Sequence, residues 1–107
     1  MEAKYIGIRT PEGLTVKVER GGKQKKLSPQ LEVVNHSPSG FECGYQGSGP
    51  AQLALAILVD VIGDKDTAVR LHQLFKRSVI ASLPRDTDWV LSEGEVKTAV
   101  SQLERTQ

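Results

Sequence analysis

Apolar and polar residues alternate strictly over Leu14-Thr15-Val16-Lys17-Val18-Glu19, which is the period of a half-buried β-strand. Leu14, Val16 and Val18 fall on one face and Thr15, Lys17 and Glu19 on the other, as in an antiparallel strand with one face on a core and one in water. Tyr5-Ile6-Gly7-Ile8 has the same extended character, and Pro11-Glu12-Gly13 between the two runs is turn chemistry. The pattern predicts an N-terminal hairpin. Gly21-Gly22 then opens a polar, basic loop, and Leu31-Glu32-Val33-Val34 after Pro29 reads as a short third extended piece.

The period changes at Pro50, whose fixed φ and missing N–H suit the first position of a helix, with Gly49 or Ser48 as its cap. Ala51 and the run from Leu53 to Val59 leave almost no polar face, so this helix is expected to be buried nearly all round. Gly63 is its terminator, and Asp64 caps a second helix that runs to about Leu83, where Pro84 stops it. On that helix Ala68, Leu71, Phe75, Val79 and Ser82 recur at three- and four-residue steps, with Arg70, Gln73 and Arg77 towards solvent. Asp88-Trp89-Val90-Leu91 is a short extended segment, and Ser92-Glu93-Gly94-Glu95 is a capping box for a last helix bearing Val96, Ala99, Val100 and Leu103.

Between strands and helices, residues 35–49 show no sustained period and read as an ordered loop pinned to the core by Phe41 and Tyr45. The expected fold is α+β: an N-terminal antiparallel β-hairpin or small sheet packed on a helical hairpin, with a short extended segment and a C-terminal helix, in a single domain over residues 1–107.

Composition narrows the function classes. With 14 Lys+Arg against 13 Asp+Glu, the net charge of +1 favours neither binding of nucleic acid by bulk charge nor an acidic tail. The single cysteine, Cys43, has no intramolecular partner, and Met1 is not followed by a basic-then-apolar leader. Both point to a reducing, cytoplasmic setting. The apolar run from Leu53 meets Asp60 long before a bilayer-spanning length, so no membrane role is expected.

The chemistry-bearing residues form no complete motif. Gly44 and Gly49 have the spacing of the outer glycines in a phosphate loop, but Pro50 and Ala51 stand where a lysine and a hydroxyl are needed. What remains there is generic: amides at a helix N-terminus that suit an anion, set against a tight structural turn over Gly47, Ser48 and Gly49. His36, Cys43 and His72 lack metal-ligand spacing, and Asp64 and Asp66 suit helix capping better than a calcium loop. Cys43 is expected as a small buried hydrophobe and the histidines as hydrogen-bonding surface or loop residues. Ser48 with His36 or His72 is the one arrangement that suggests a nucleophile, and it lacks the glycine that an elbow needs at Gln46. Arg20, Lys23, Lys25 and Lys26 suit phosphate contacts, although no aromatic side chain interleaves them for base stacking.

The stretch HSPSGFECGYQGSGPAQLALAIL, followed by a Gly-Asp break, the segment LHQLFKRSVIASLP and the segment WVLSEGEV, resembles an uncharacterised family of short prokaryotic, archaeal and phage proteins. The resemblance covers His36 to Val96, and Cys43 stands where that family more often carries tryptophan. It implies domain boundaries near the chain ends and brings no activity, ligand or catalytic residue.

Taken together, the residues favour a small non-enzymatic interaction module with a protein partner and no cofactor. Residues for an anion or partner site are His36, Tyr45, Gly47, Ser48 and Gly49. The second reading is nucleic-acid or small-anion binding through the basic loop or the glycine-rich helix start, and the third is a cryptic enzyme.

Overall fold

The computed structural model describes residues 2–105. Strands β1 (Lys4–Thr10) and β2 (Gly13–Arg20) form the expected hairpin, with Lys4 opposite Glu19 and Thr10 opposite Gly13. Two more strands, β3 (Lys23–Lys26) and β4 (Trp89–Ser92), extend it to a four-stranded antiparallel sheet in the order β3-β2-β1-β4. Helices α1 (Ser48–Ile62), α2 (Lys65–Ser78) and α3 (Glu93–Arg105) cover one face, giving the α+β class read from the sequence.

Two segments depart from the expected pattern. The basic loop is in part a strand: Gly21 and Gly22 have φ of 62° and 79°, the left-handed pair of a tight hairpin turn, so the chain doubles back and pairs Lys23–Lys26 with β2. Four exposed polar residues suit this position, because lysines on an edge strand discourage further pairing. Leu31–Val34, by contrast, is no strand. Gln30 adopts φ 59° and its carbonyl accepts the amide of Val33 at 3.0 Å, which makes a turn.

Helix α1 begins two residues before Pro50, with extended Gly47 as its N-cap in place of the expected Gly49 or Ser48, which lie inside the first turn. Pro50 still falls in the first turn, where no intrahelical N–H is called for. All eleven residues from Gly49 to Val59 are buried, as the missing polar face predicts. The inner side chains of the sheet, Tyr5, Val16, Val18 and Leu91, share one core with α1, with Phe75 of α2 and with Val96 of α3. Asp60 ends the apolar run of α1 and accepts hydrogen bonds from the Tyr5 hydroxyl at 2.5 Å and from Arg20 at 2.9 Å. Burial, reinforced by that carboxylate, pushes the Tyr5 hydroxyl above its ordinary range, so it stays a donor.

Gly63 terminates α1 with φ 82°, and the Asp64 side chain caps α2 by accepting from the Asp66 amide at 3.2 Å. The second helix is shorter than its spacing suggests. It leaves α geometry at Val79, and a 3-10 turn over Ile80–Ser82 carries the chain towards Pro84. The capping box of α3 forms as expected: the Glu95 amide donates to Ser92 Oγ at 3.0 Å, and the Ser92 amide donates to Glu95 Oε1 at 2.9 Å. No helix among the described residues is long and apolar enough to cross a membrane.

Gly7 of β1 stands opposite Trp89 of β4, and the indole lies where a Cβ on residue 7 would be. Gly7→Ala is therefore expected to destabilise the fold by about 1–3 kcal/mol through overpacking. Urea denaturation checks this, and a change below about 0.5 kcal/mol would show that the ring moves aside freely.

Candidate functional site

The turn of the β1–β2 hairpin faces the loop before α1 across a cleft of about 710 Å³. A short antiparallel bridge between Leu14 and Phe41 joins the two walls. Beside it, one guanidinium nitrogen of Arg9 donates to both carboxylate oxygens of Glu42, at 2.8 and 3.0 Å. The loop wall is shaped locally by Ser37, whose hydroxyl donates to the Gly40 carbonyl at 2.8 Å. Ser48 and Gly49, in the first turn of α1, close the cleft, and Tyr45 stands at its side with the Arg85 guanidinium 4.6 Å from its ring centre.

The glycines of this turn serve close approach rather than unusual backbone angles. Gly47 is extended, and a Cβ there would press on the Tyr45 ring; a Cβ on Gly49 would press on the backbone and Cβ of Glu42. Neither has positive φ, whereas Gly44 does, at 83°, and it is also packed against Arg85 and the Leu83 carbonyl.

Hydroxyls line the cleft from both walls, with Thr10 and Thr15 on one side and Ser37, Ser39 and Ser48 on the other. The charged lining is acidic, Glu12 and Glu42, with no lysine or arginine. An anion at the first-turn amides of Ser48 and Gly49 would meet Glu12 and a Glu42 already paired with Arg9, so Glu12 is the charge that favours a donor-rich or cationic group over phosphate.

The loop wall is fixed from behind by Gln52, a wholly buried side chain of α1. Its Oε1 accepts the amides of His36 and Ser37 at 2.7 and 3.0 Å, and its Nε2 donates to the carbonyls of Pro29 and Val34 at 2.6 and 3.0 Å. Every hydrogen-bonding position of the amide is used. This explains the fate of Leu31–Val34: the Val34 carbonyl goes to a side chain instead of a neighbouring strand.

His36, held in this way, meets His72 of α2 with 2.9 Å between their Nε2 atoms. His72 is buried, contrary to its expected surface place, because it lies four residues after Ala68 and three before Phe75 on the apolar stripe of α2. Burial pushes its pKa down, with His36 and Lys76 acting in the same direction against a hydrogen bond to the Val69 carbonyl.

Among the expected site residues, Tyr45, Ser48 and Gly49 line the cleft, Gly47 caps the helix beneath it, and His36 lies behind the wall at Ser37. No hydrogen bond joins Ser48 to either histidine among the described residues. Cys43 is apart from the histidine pair, buried with its thiol towards the Pro84 carbonyl at 3.4 Å and with Arg9 3.9 Å away. Burial raises its pKa, so the thiol stays protonated at neutral pH. The basic residues do not share one surface. Arg20 is paired with Asp60 at 2.9 Å. Along β3 the strand alternation sends Lys26 to the open face beside Lys17 and sends Lys23 and Lys25 to the other.

Gln52 and the Arg9–Glu42 pair have no role in the sequence reading. A lone glutamine inside an apolar run was the available signal for Gln52; nothing local marks the pairing of Arg9 with Glu42, which lie 33 residues apart.

A family of unknown function (DUF6166) matches residues 5–102, and the chain belongs to it. The matched region takes in the N-terminal hairpin as well as the segment from His36 onwards. No curated protein and no solved structure is detectably similar to the chain.

Gln52→Leu keeps the bulk of the side chain and leaves two carbonyls and two amides that face the buried Gln52 position without that partner. The expected loss is about 3 kcal/mol or more, measured by reversible denaturation, together with faster amide exchange at His36 and Ser37. A loss near 1 kcal/mol would mean that water reaches these groups.

Proposed function

We propose that the chain is a non-enzymatic, single-domain interaction module that holds a segment of a partner protein in the cleft between the hairpin turn and the loop before α1. The observation that carries this reading is the lining of the cleft: hydroxyls on both walls, Phe41 and Tyr45 as apolar contact surface, and only carboxylates as charged groups. Such a wall suits a peptide segment rich in amide or amino donors, with lysine or arginine set towards Glu12, since Glu42 is already paired with Arg9. The walls are fixed by the Leu14–Phe41 bridge and by Gln52, which lowers the ordering cost of binding. The unpaired thiol of Cys43 suits a reducing, cytoplasmic setting for this role.

Nucleic-acid binding is the weaker reading, because Arg20 is paired and the three lysines of β3 divide between two faces. A continuous phosphate-tracking surface needs cations that act together.

The test is affinity capture from a lysate of the source cells, with and without nuclease, using three versions of the full chain. The partner is expected to survive nuclease, to be captured equally by a Lys23/Lys25/Lys26→Gln variant, and to fall at least about tenfold with Glu12→Lys combined with Ser39→Trp. Each substitution lies at an exposed position, so each variant should keep its stability within about 0.5 kcal/mol. Capture that disappears with nuclease or in the lysine variant would replace this reading with nucleic-acid binding. Undiminished capture by the cleft variant would remove the cleft as the docking site.

A further inference from the structure

We propose that the contact between His36 and His72 is a proton-operated latch on the cleft: it holds the loop wall to α2 with at most one added proton and releases it with the second. The inference rests on the cleft being the docking site only for its consequence in binding; the latch itself is a property of the isolated chain.

The hydrogen positions follow from the partners. His72 Nδ1 lies 2.6 Å from the Val69 carbonyl oxygen, an acceptor only, so Nδ1 carries the hydrogen and Nε2 of the neutral ring presents a lone pair. His36 Nε2, 2.9 Å away, must then be the donor. The ring centres are 5.1 Å apart, so the two imidazoles meet nearly end to end, along the line of one shared hydrogen. Imidazoles that ligate a metal converge on a third atom to one side, and no group of three His, Cys, Asp or Glu side chains placed to hold a metal occurs among the described residues.

Two protons act differently on this arrangement. One added proton still leaves a hydrogen shared between the two Nε2 atoms and makes the bond charge-assisted. The second has only His72 Nε2, and there it sets two N–H groups and two positive charges head to head. Lys76 on α2 adds a further positive charge, α1 presents the neutral amide of Gln52, the loop presents His36 itself, and no carboxylate is bonded to either ring among the described residues.

The sign of the pH dependence follows. His72 is 5% exposed, and its folded pKa is depressed below the ordinary value of 6.5. The released ring therefore takes up its proton at higher pH than the latched one. The latch is fully stable above 6.5 and weakens as pH falls through that value towards the folded pKa. Release reaches the cleft through the chain itself, because His36 and Ser37 share the Gln52 oxygen and Ser37 begins the loop wall.

The experiment uses the intact, isotopically labelled chain without a partner, titrated from about pH 7.5 to about pH 5. Long-range proton–nitrogen spectra should show hydrogen on Nδ1 of His72 and Nε2 of His36 at the upper pH. Amide protection at Ser37, corrected for intrinsic rate, should fall at least about tenfold as His72 titrates. His36→Gln keeps a donor and does not titrate, so its protection should stay nearly constant over the same range. Equal pH dependence in wild type and His36→Gln, or titration of His72 with no change at Ser37, overturns the latch. If His36→Gln does not fold, the wild-type spectrum decides, and hydrogen on Nε2 of His72 at about pH 7.5 overturns it. None of these results touches the docking reading, which stands or falls on the capture at neutral pH.

Discussion

One buried side-chain amide, that of Gln52, settles how this chain encloses a helix that has no polar face. Helix α1 has to be covered on every side, and regular elements supply only part of the cover: the sheet, α2 and α3. The remaining side falls to an irregular segment, whose peptide groups lose water when they settle on an apolar helix. Four of those groups, from Pro29, Val34, His36 and Ser37, are satisfied by a single glutamine projecting from the helix they cover. The amide thus does for the loop what a neighbouring strand does for a sheet edge. It acts together with the Leu14–Phe41 bridge and the packing of Val33, Val34 and Phe41 on the core to hold the segment where the cleft needs a wall.

How much of this was legible beforehand depends on the range over which the controlling interaction acts. The hairpin, the buried helix, the Gly63 terminator and the Ser92–Glu95 capping box were all readable because each is decided by residues within a turn or two. The failures were at longer range or at competing local choices. Leu31–Val34 has strand composition, yet the Val34 carbonyl is claimed by Gln52 from 18 residues away. The basic stretch has the composition of a loop, because lysines rarely signal a strand, although Gly21-Gly22 is the turn that folds it back. Residue type alone places His72 at the surface, whereas its spacing from Ala68 and Phe75 places it on the buried stripe.

The candidate site is less legible than the fold, because its lining comes from segments far apart in the chain. Tyr45, Ser48 and Gly49 border the cleft, Gly47 and Gly49 leave room for the close approach of Tyr45 and Glu42, and the carboxylates of the lining, Glu12 and Glu42, are connected by no local pattern. The pairing of Arg9 with Glu42 also shows why the sign of a site is hard to read from net charge. A chain with a formal charge of +1 lines its cleft with Glu12 and Glu42, and one arginine, Arg9, already balances the second of them.

The two borders of the sheet are unequal, and that inequality governs how copies of the chain behave when crowded. On one side β3 offers a short strand of Lys-Gln-Lys-Lys, wholly exposed, so any strand approaching it must overcome repulsion and dehydrate ammonium groups. On the other, β4 carries Val90 with 59% of its surface in water and a backbone paired on β1 alone. Intermolecular strand addition is thereby directed to a single border, where four residues are too few to propagate a fibre-like stack and end directly in α3. The same lysines that contribute little to folding act as a guard against aggregation.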